Sequence, residues 1–463
     1  MINKIITQKG FKWTLFHLIL GSGCVFYPSI LIFWFYYVII SSFNLLASDL
    51  IYRNSIQNII PFIIYISSYE VLGRMLDSSP YIPWELGKYF IIFSSFILII
   101  SNRIKINTSM GFVLILLLIP GIINDKSSMT SFEEIINYSL GPISMILLTI
   151  VLYEKKINIK DFDNILKMIW YTCISTLIYV LIKTPDYSEL TFSLNADFST
   201  TGGFGSNQVA TILGVGMFLS FYTWMNRLLF SGYHILDGIF IGIFAYQGFL
   251  TFSRGGMVVS LVGLILYYIL FRTSYSYEKI KLLKSLRPMY YFLFTIIILG
   301  ISYGIIQIIS EGNITLRYLG ETQATLTGQK IRSIDTFTTG RYAISLSDLN
   351  LWYENFILGV GAGASKFLRE GAMSGIAPHT EFSRLLAEHG LLGLIFIFLL
   401  IFIGIKSILR NTYDMNRAII ASIFFVGIAT TMHSSMRTYV TAVFFSLSTM
   451  ILGKYRGNNN YKN

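Results

Sequence analysis

Apolar runs of bilayer-crossing length recur from one end of this 463-residue chain to the other, and no other property narrows its possible folds as far. A helix needs about 20 mostly apolar residues to cross a hydrocarbon core, where every backbone N–H and C=O must be satisfied inside the segment. Such runs lie near 11–27, 29–47, 58–76, 84–101, 110–124, 139–153, 163–182, 206–226, 233–250, 255–271, 289–309, 391–409, 417–432 and 438–453. Only 13% of residues are charged, against about 25% in soluble chains. The expectation is an all-α polytopic membrane protein with about fourteen transmembrane helices.

Charge phasing sets the expected topology. Residues 11–47 read as a hairpin turning at Tyr27-Pro28-Ser29. With a cytoplasmic N-terminus, one side then collects Lys4, Lys9, Lys12, Arg53, Arg103, Lys105, Lys155, Lys156, Lys160 and Arg227. The same side collects Arg272, Lys279, Lys281, Lys284, Arg287, Lys406, Arg410, Arg417, Lys454, Arg456 and Lys462. The other side receives the acidic loop "NDKSSMTSFEE" and the loops 183–205 and 310–390. One long first span would put the lysine-rich 272–288 loop outside, against the positive-inside rule. Both termini are therefore expected in the cytoplasm. The opening "MINKIITQKGFKWTLFHLILGSGC" imitates a signal peptide, but apolar sequence resumes at once, so it reads as an uncleaved first span.

The net charge of +11 fits the same rule. No basic stretch interleaves with aromatics in a soluble segment, so nucleic acid is not an expected partner. Cys24 and Cys173 lie in apolar runs, with no disulfide framework and no zinc spacing. The chain divides into a bundle over 1–309, a large outer loop over 310–390, and C-terminal helices with a short tail over 391–463. At about eighty residues that loop far exceeds the usual connection. Its Tyr342, Trp352, Phe356 and Phe367 favour a folded helical cap.

Four stretches on the outer side could carry chemistry. "APHTEFSRLLAEHGLLG", residues 377–393, reads as a short amphipathic helix begun by Pro378 and ended by Gly390. His379 would lie in its first turn, where the helix dipole disfavours imidazolium and leaves a neutral base. Glu381, Arg384 and Glu388 share a face, so the glutamates either bind substrate or pair with Arg384. "TFSRGG" sets Arg254 between two apolar helices, as a functional cation or a snorkelling anchor. Gly255 and Gly256 would let the backbone turn and another group approach. Arg341 is expected to open a helix after Gly340, followed by "LGVGAG", which is not a dinucleotide fingerprint. "TGGFGSNQVATILG" carries Asn207, either a sugar ligand or a helix cap. Two guanidinium groups suit a pyrophosphate, and a neutral imidazole suits activation of a hydroxyl. No acidic cluster arranged for a metal is evident outside, so a metal-independent reaction without a cofactor is expected.

These motifs resemble, in order, those of the O-antigen ligase/polymerase superfamily: the Asn-containing loop before a span, the Ser-Arg-Gly turn, the Gly-Arg…Trp…Gly-x-Gly segment, and the histidine followed by Leu-x-x-x-Glu-x-Gly. The resemblance covers roughly residues 200–393. It implies a GT-C-like membrane glycosyltransferase that takes a saccharide from undecaprenyl pyrophosphate and passes it to a hydroxyl on the outer side of the bacterial inner membrane. By position, Arg254 and Arg341 would hold the donor pyrophosphate and His379 would activate or orient the acceptor hydroxyl. Many members carry Asn after the histidine, where this chain has Thr380.

The expected activity is polymerisation of lipid-linked O-antigen or capsular repeat units, with a chain-length regulator as a possible partner. The alternative is a ligase transferring finished polymer to lipid A-core. A lipid-linked oligosaccharide flippase is the different-class alternative. A transporter should show repeated halves and a charged midplane cavity. The charges within or near spans, Glu70, Arg74, Glu85, Lys88, Lys167 and Asp237, look scattered, and no repeat is visible.

Overall fold

The computed structural model describes residues 2–52, 59–100, 108–124, 126, 130–186, 190, 192–196, 198–277 and 282–453. Of the basic residues behind the expected topology, Arg53, Arg103, Lys105, Lys279, Lys281, Lys454, Arg456 and Lys462 lie outside that set, as does part of the acidic loop.

Helices dominate. The first half contains α1 (Ile2–Phe26), α2 (Ser29–Tyr52), α3 (Ile60–Ser68), α4 (Glu70–Met75), α5 (Leu86–Ile100), α6 (Thr108–Ile123), α7 (Phe132–Leu152) and α8 (Ile159–Lys183). Then come α9 (Ser206–Asn226), α10 (His234–Leu250), α11 (Arg254–Tyr277) and α12 (Leu282–Ile309). The cap carries α13 (Asn313–Tyr318), α14 (Gln323–Leu326), α15 (Ile334–Thr338), α16 (Arg341–Glu354) and α17 (Ser365–Leu368). The chain closes with α18 (Glu381–Arg410), α19 (Asp414–Ser434) and α20 (Tyr439–Ser448).

Among the described residues every expected apolar run contains helix, and α1 and α2 do break at Tyr27-Pro28. Among the described residues, seven helices are long and apolar enough to cross a membrane: α7, α8, α9, α11, α12, α18 and α19. Others are shorter than the sequence implied. The 58–76 run breaks at Tyr69 into α3 and α4, and the 438–453 run gives only the ten residues of α20. At 1.5 Å per residue α20 is about 15 Å long, half a hydrocarbon core. Beyond it the chain extends as a strand, which the all-helical expectation missed. Strands β1 (Lys156–Asn158) and β2 (Ile451–Gly453) pair in parallel.

Burial orders the bundle. In its most apolar stretch α9 is 94% buried and packs on α8, α10 and α11, whereas α12 is only 17% buried and lies at the edge. Serine and threonine hydroxyls within the helices return to the carbonyl four residues back, as in Ser67, Thr176, Ser220 and Thr430, so they need no water. The connections separate into two ends. At one, Glu154 pairs with Arg410, β1 meets β2, and Gly10 presses on Gly232. At the other, the α4–α5 connection, the start of α9, the α10–α11 turn, the cap and the α19–α20 turn converge.

Candidate active site

Arg254 is delivered by a turn that has almost no slack. Phe252, buried and at φ 54°, reverses the chain between α10 and α11, so the turn rests on Phe252 and not on the glycines that follow. Ser253 donates to Asn207 Oδ1 at 2.8 Å, which ties the turn to the first turn of α9. Asn207 thus positions the Arg254 turn. Gly255 and Gly256 are helical and serve close approach. A Cβ on Gly255 would lie 2.5 Å from the His433 side chain, and one on Gly256 2.5 Å from the backbone of Ala210 and Thr211. His433 is held in turn by Thr211 Oγ1 at 2.9 Å.

From that turn the Arg254 guanidinium reaches the cap. It donates to the Arg317 carbonyl at 2.9 Å and to the Phe337 carbonyl, and lies 5.1 Å from the Phe337 ring centre. Arg317, buried on α13, sends its Nε toward the Phe252 carbonyl at 3.4 Å. Arg341 opens α16 directly after Gly340, at φ 80°. Burial, with the charges of Arg254 and Arg341, pulls the Arg317 guanidinium down to about 10. Burial, with Arg254 and Arg437, pulls Arg341 to about 10 as well. Both remain protonated at neutral pH. Among the described residues, no carboxylate forms a salt bridge with Arg254, Arg317 or Arg341. Arg317 Nη1 and Arg341 Nε are buried with no hydrogen-bond partner there. Three cations held together without counter-charge are ready for an anion.

His379 stands beside them, but not in a helix. Thr380 is the N-cap of α18, so His379 precedes the first turn that the sequence assigned to it. The ring is neutral all the same, from a different cause. Burial comes first, and the charges of Arg437, Arg341 and Arg369 add to it, pushing the imidazole down to about 4. Its Nδ1 is buried with no partner among the described residues. The backbone around it is well tied. Thr380 Oγ1 lies 2.9 Å from Ser345 Oγ on α16 and 2.6 Å from Ser383 Oγ, and Arg437 donates to the Pro378 carbonyl at 2.7 Å. Below, Asp348 holds Arg369 at 2.8 Å and Ser383 at 2.8 Å.

The two glutamates are engaged elsewhere. Arg384 lies between them, pairing with Glu381 and with Glu388 at 2.6 Å. Glu388 also accepts from Ser365 at 2.9 Å and is fully buried. Gly390, at φ 60° and ψ −137°, breaks α18 as expected. The "LGVGAG" stretch serves that break. Val360 and Gly361 donate to the freed carbonyls of Ala387 and Glu388 at 2.9 and 3.0 Å. A Cβ on Gly359 would lie 2.4 Å from Glu388, so glycine is required there. The motif braces a broken helix and cradles no nucleotide.

On the far side of Pro378 a cleft of about 260 Å³ opens, walled by Trp84, Glu85, Gln208, Glu381 and Arg437 among others. Here four of the six charges that looked scattered, Glu70, Arg74, Glu85 and Lys88, are gathered. Arg74 pairs with Glu70 at 2.8 Å and Glu85 at 2.7 Å, while Lys88 pairs with Glu85 and, at 3.3 Å, with Glu70. Arg74 also donates to Gln208 and to the Arg437 carbonyl, each at 2.7 Å. Arg317, Arg437 and the Arg74 group were missed from sequence. The i,i+4 and i,i+3 spacings of Glu70/Arg74 and Glu85/Lys88 signal half of that last cluster. Among the described residues no group of three or more His, Cys, Asp or Glu side chains is placed to share a metal ion. No family model, curated protein or solved structure matches this chain.

Proposed function

We propose that this chain is a membrane glycosyltransferase that joins oligosaccharide repeat units carried on polyprenyl pyrophosphate, a polysaccharide polymerase of the O-antigen and capsule type. The observation that carries the reading is the convergence of Arg254, Arg317 and Arg341, none of them in a salt bridge among the described residues, beside a neutral His379 with a ring nitrogen unpartnered among them. Guanidinium groups match the paired oxygens of a pyrophosphate. In the reaction the bond from the donor's anomeric carbon to the pyrophosphate oxygen breaks, and the pyrophosphate leaves with the electron pair. The arginines stabilise that charge as it develops. The acceptor hydroxyl oxygen forms the new bond to the same carbon, and its proton passes to His379.

In this reading the cap end faces the outside of a bacterial inner membrane and both termini face the cytoplasm. Lys155, Lys156, Lys160, Arg227, Lys406, Arg410 and Arg417 support it, since they sit in the connections of the opposite end or in the helix ends that border them. About fourteen apolar helices, the short α20 and broken α3–α4 included, then form a GT-C-like bundle.

The test is the surface-polysaccharide ladder of cells carrying His379→Ala, beside a deletion strain and wild type. His379→Ala should match the deletion while the protein still reaches the membrane. Single repeats on their final acceptor mark a lost polymerase. Full-length polymer stranded on its carrier marks a ligase instead. A normal ladder removes His379 from the chemistry.

A further inference from the structure

The cleft beyond Pro378 differs from the arginine trio in charge, shape and lining, and it has no place in the transfer chemistry described so far. Four cations line it, Arg74, Lys88, Arg384 and Arg437, together with the carboxylates Glu85 and Glu381. Behind that lining Glu70 pairs with Arg74 and Lys88, and Glu388 pairs with Arg384, so three of the four cations are already neutralised and the wall offers little net attraction to a pyrophosphate. It offers hydrogen-bonding groups fixed in place by their own ion pairs. Gln208 spends its carbonyl on Arg74, and its amide nitrogen has no partner among the described residues. Trp84, 52% exposed, adds a flat apolar face to the same wall. Fixed polar groups beside an aromatic face recognise an uncharged, hydroxyl-rich ring: the hydroxyls bond to the polar groups and the C–H face packs on the indole.

The cleft also lies in the right place. Ala377 and Pro378 form part of its wall, so His379 is the next residue along the chain. Arg437 belongs to both regions. It lines the cleft, its carbonyl accepts from Arg74, its guanidinium holds Pro378, and its charge acts on Arg341 and His379. Resting on the transferase reading above, we infer that this cleft is the acceptor site and takes the uncharged sugar ring whose hydroxyl receives the donor. Arg437 marks the seam between acceptor and donor. A Trp84 that merely anchored the protein at the membrane interface would leave sugar binding untouched when replaced.

The test uses the full-length protein in lipid nanodiscs with two probes. One is the repeat-unit oligosaccharide freed from its carrier by mild acid, which lacks pyrophosphate and so reads sugar binding without the arginine trio's ligand. The other is polyprenyl pyrophosphate without sugar. Trp84→Ala and Gln208→Ala should each weaken oligosaccharide binding by roughly tenfold or more, with Trp84→Phe keeping most of it. Both should bind polyprenyl pyrophosphate as wild type does. Arg341→Gln should show the reverse pattern, which also controls for folding. Oligosaccharide binding that is absent in wild type, or equal in Trp84→Ala and wild type, overturns the acceptor assignment and leaves the donor reading standing. Polyprenyl pyrophosphate binding that is absent in wild type, or unaffected by Arg341→Gln, overturns the transferase reading itself.

Discussion

Arg384 and Arg341 belong to the same end of the bundle, and their surroundings differ in kind. Arg384 is buried, paired with Glu381 and Glu388, bonded to the Tyr138 carbonyl at 3.2 Å, and 5.4 Å from the Tyr138 ring centre. Among the described residues Arg341 has no salt bridge and keeps a buried Nε without a partner, and it feels Arg254 and Arg437 as like charges. One arginine is spent on holding α18 together. The other is held against its own repulsion, a cost that only an anion relieves. Compensated and uncompensated guanidinium groups therefore read as structure and site.

The largest expected effect lies on the compensated side. Arg384→Met leaves two buried carboxylates without a counter-charge, which costs about 3–5 kcal/mol. Thermal unfolding of the purified protein should show a large fall in Tm, partly recovered when Glu381→Gln and Glu388→Gln are added. On the uncompensated side Arg341→Gln should lower transfer roughly 100- to 1,000-fold, with Tm unchanged or raised because a repulsion has gone. A fall in Tm that tracks the loss of activity would make Arg341 a structural residue like Arg384.

A smaller effect reads the seam. Only the neutral ring of His379 accepts a proton, and the ring stays neutral above about 4. Transfer should therefore hold level from pH 8 to below pH 6 and decline only in strong acid. Arg437→Gln removes a positive neighbour, which makes protonation easier, so the acid limb of the rate profile should move to higher pH. A limb that stays in place assigns the titration to another group. Smallest of all, Thr380→Val removes hydroxyl contacts to Ser345 and Ser383 and should cost about 1 kcal/mol with a few-fold loss of rate. Thr380→Ser should restore most of both.

The helices were legible because hydrophobic length is local. So were the break at Tyr27-Pro28 and the stop at Gly390. Arg254, Arg341 and His379 were visible as polar residues beside apolar runs, where a charge is expensive. What stayed hidden was pairing. Whether Glu381 faces substrate or Arg384 depends on which helix covers it, and helical spacing leaves both open. Arg74 and Arg437 meet across most of the chain, Arg317 lies on a six-residue helix with no periodic signal, and β1 and β2 are too short to read as strands. The neutral state of His379 was expected from a helix dipole, whereas burial and neighbouring arginines produce it, and those neighbours come from three separate segments.

The β1–β2 pairing bears on how the protein comes to be active. It joins the connection before α8 to the stretch after α20, a closure of very long range, and such closures form late. Helix α20 docks against α7 and α19, so the last hairpin completes its packing on α7. Ser435 and Arg437 ride at the tip of that hairpin. A bundle still awaiting it has Arg254, Arg341 and His379 but lacks the seam residue between them and the cleft. Assembly of the bundle and completion of the candidate site then coincide.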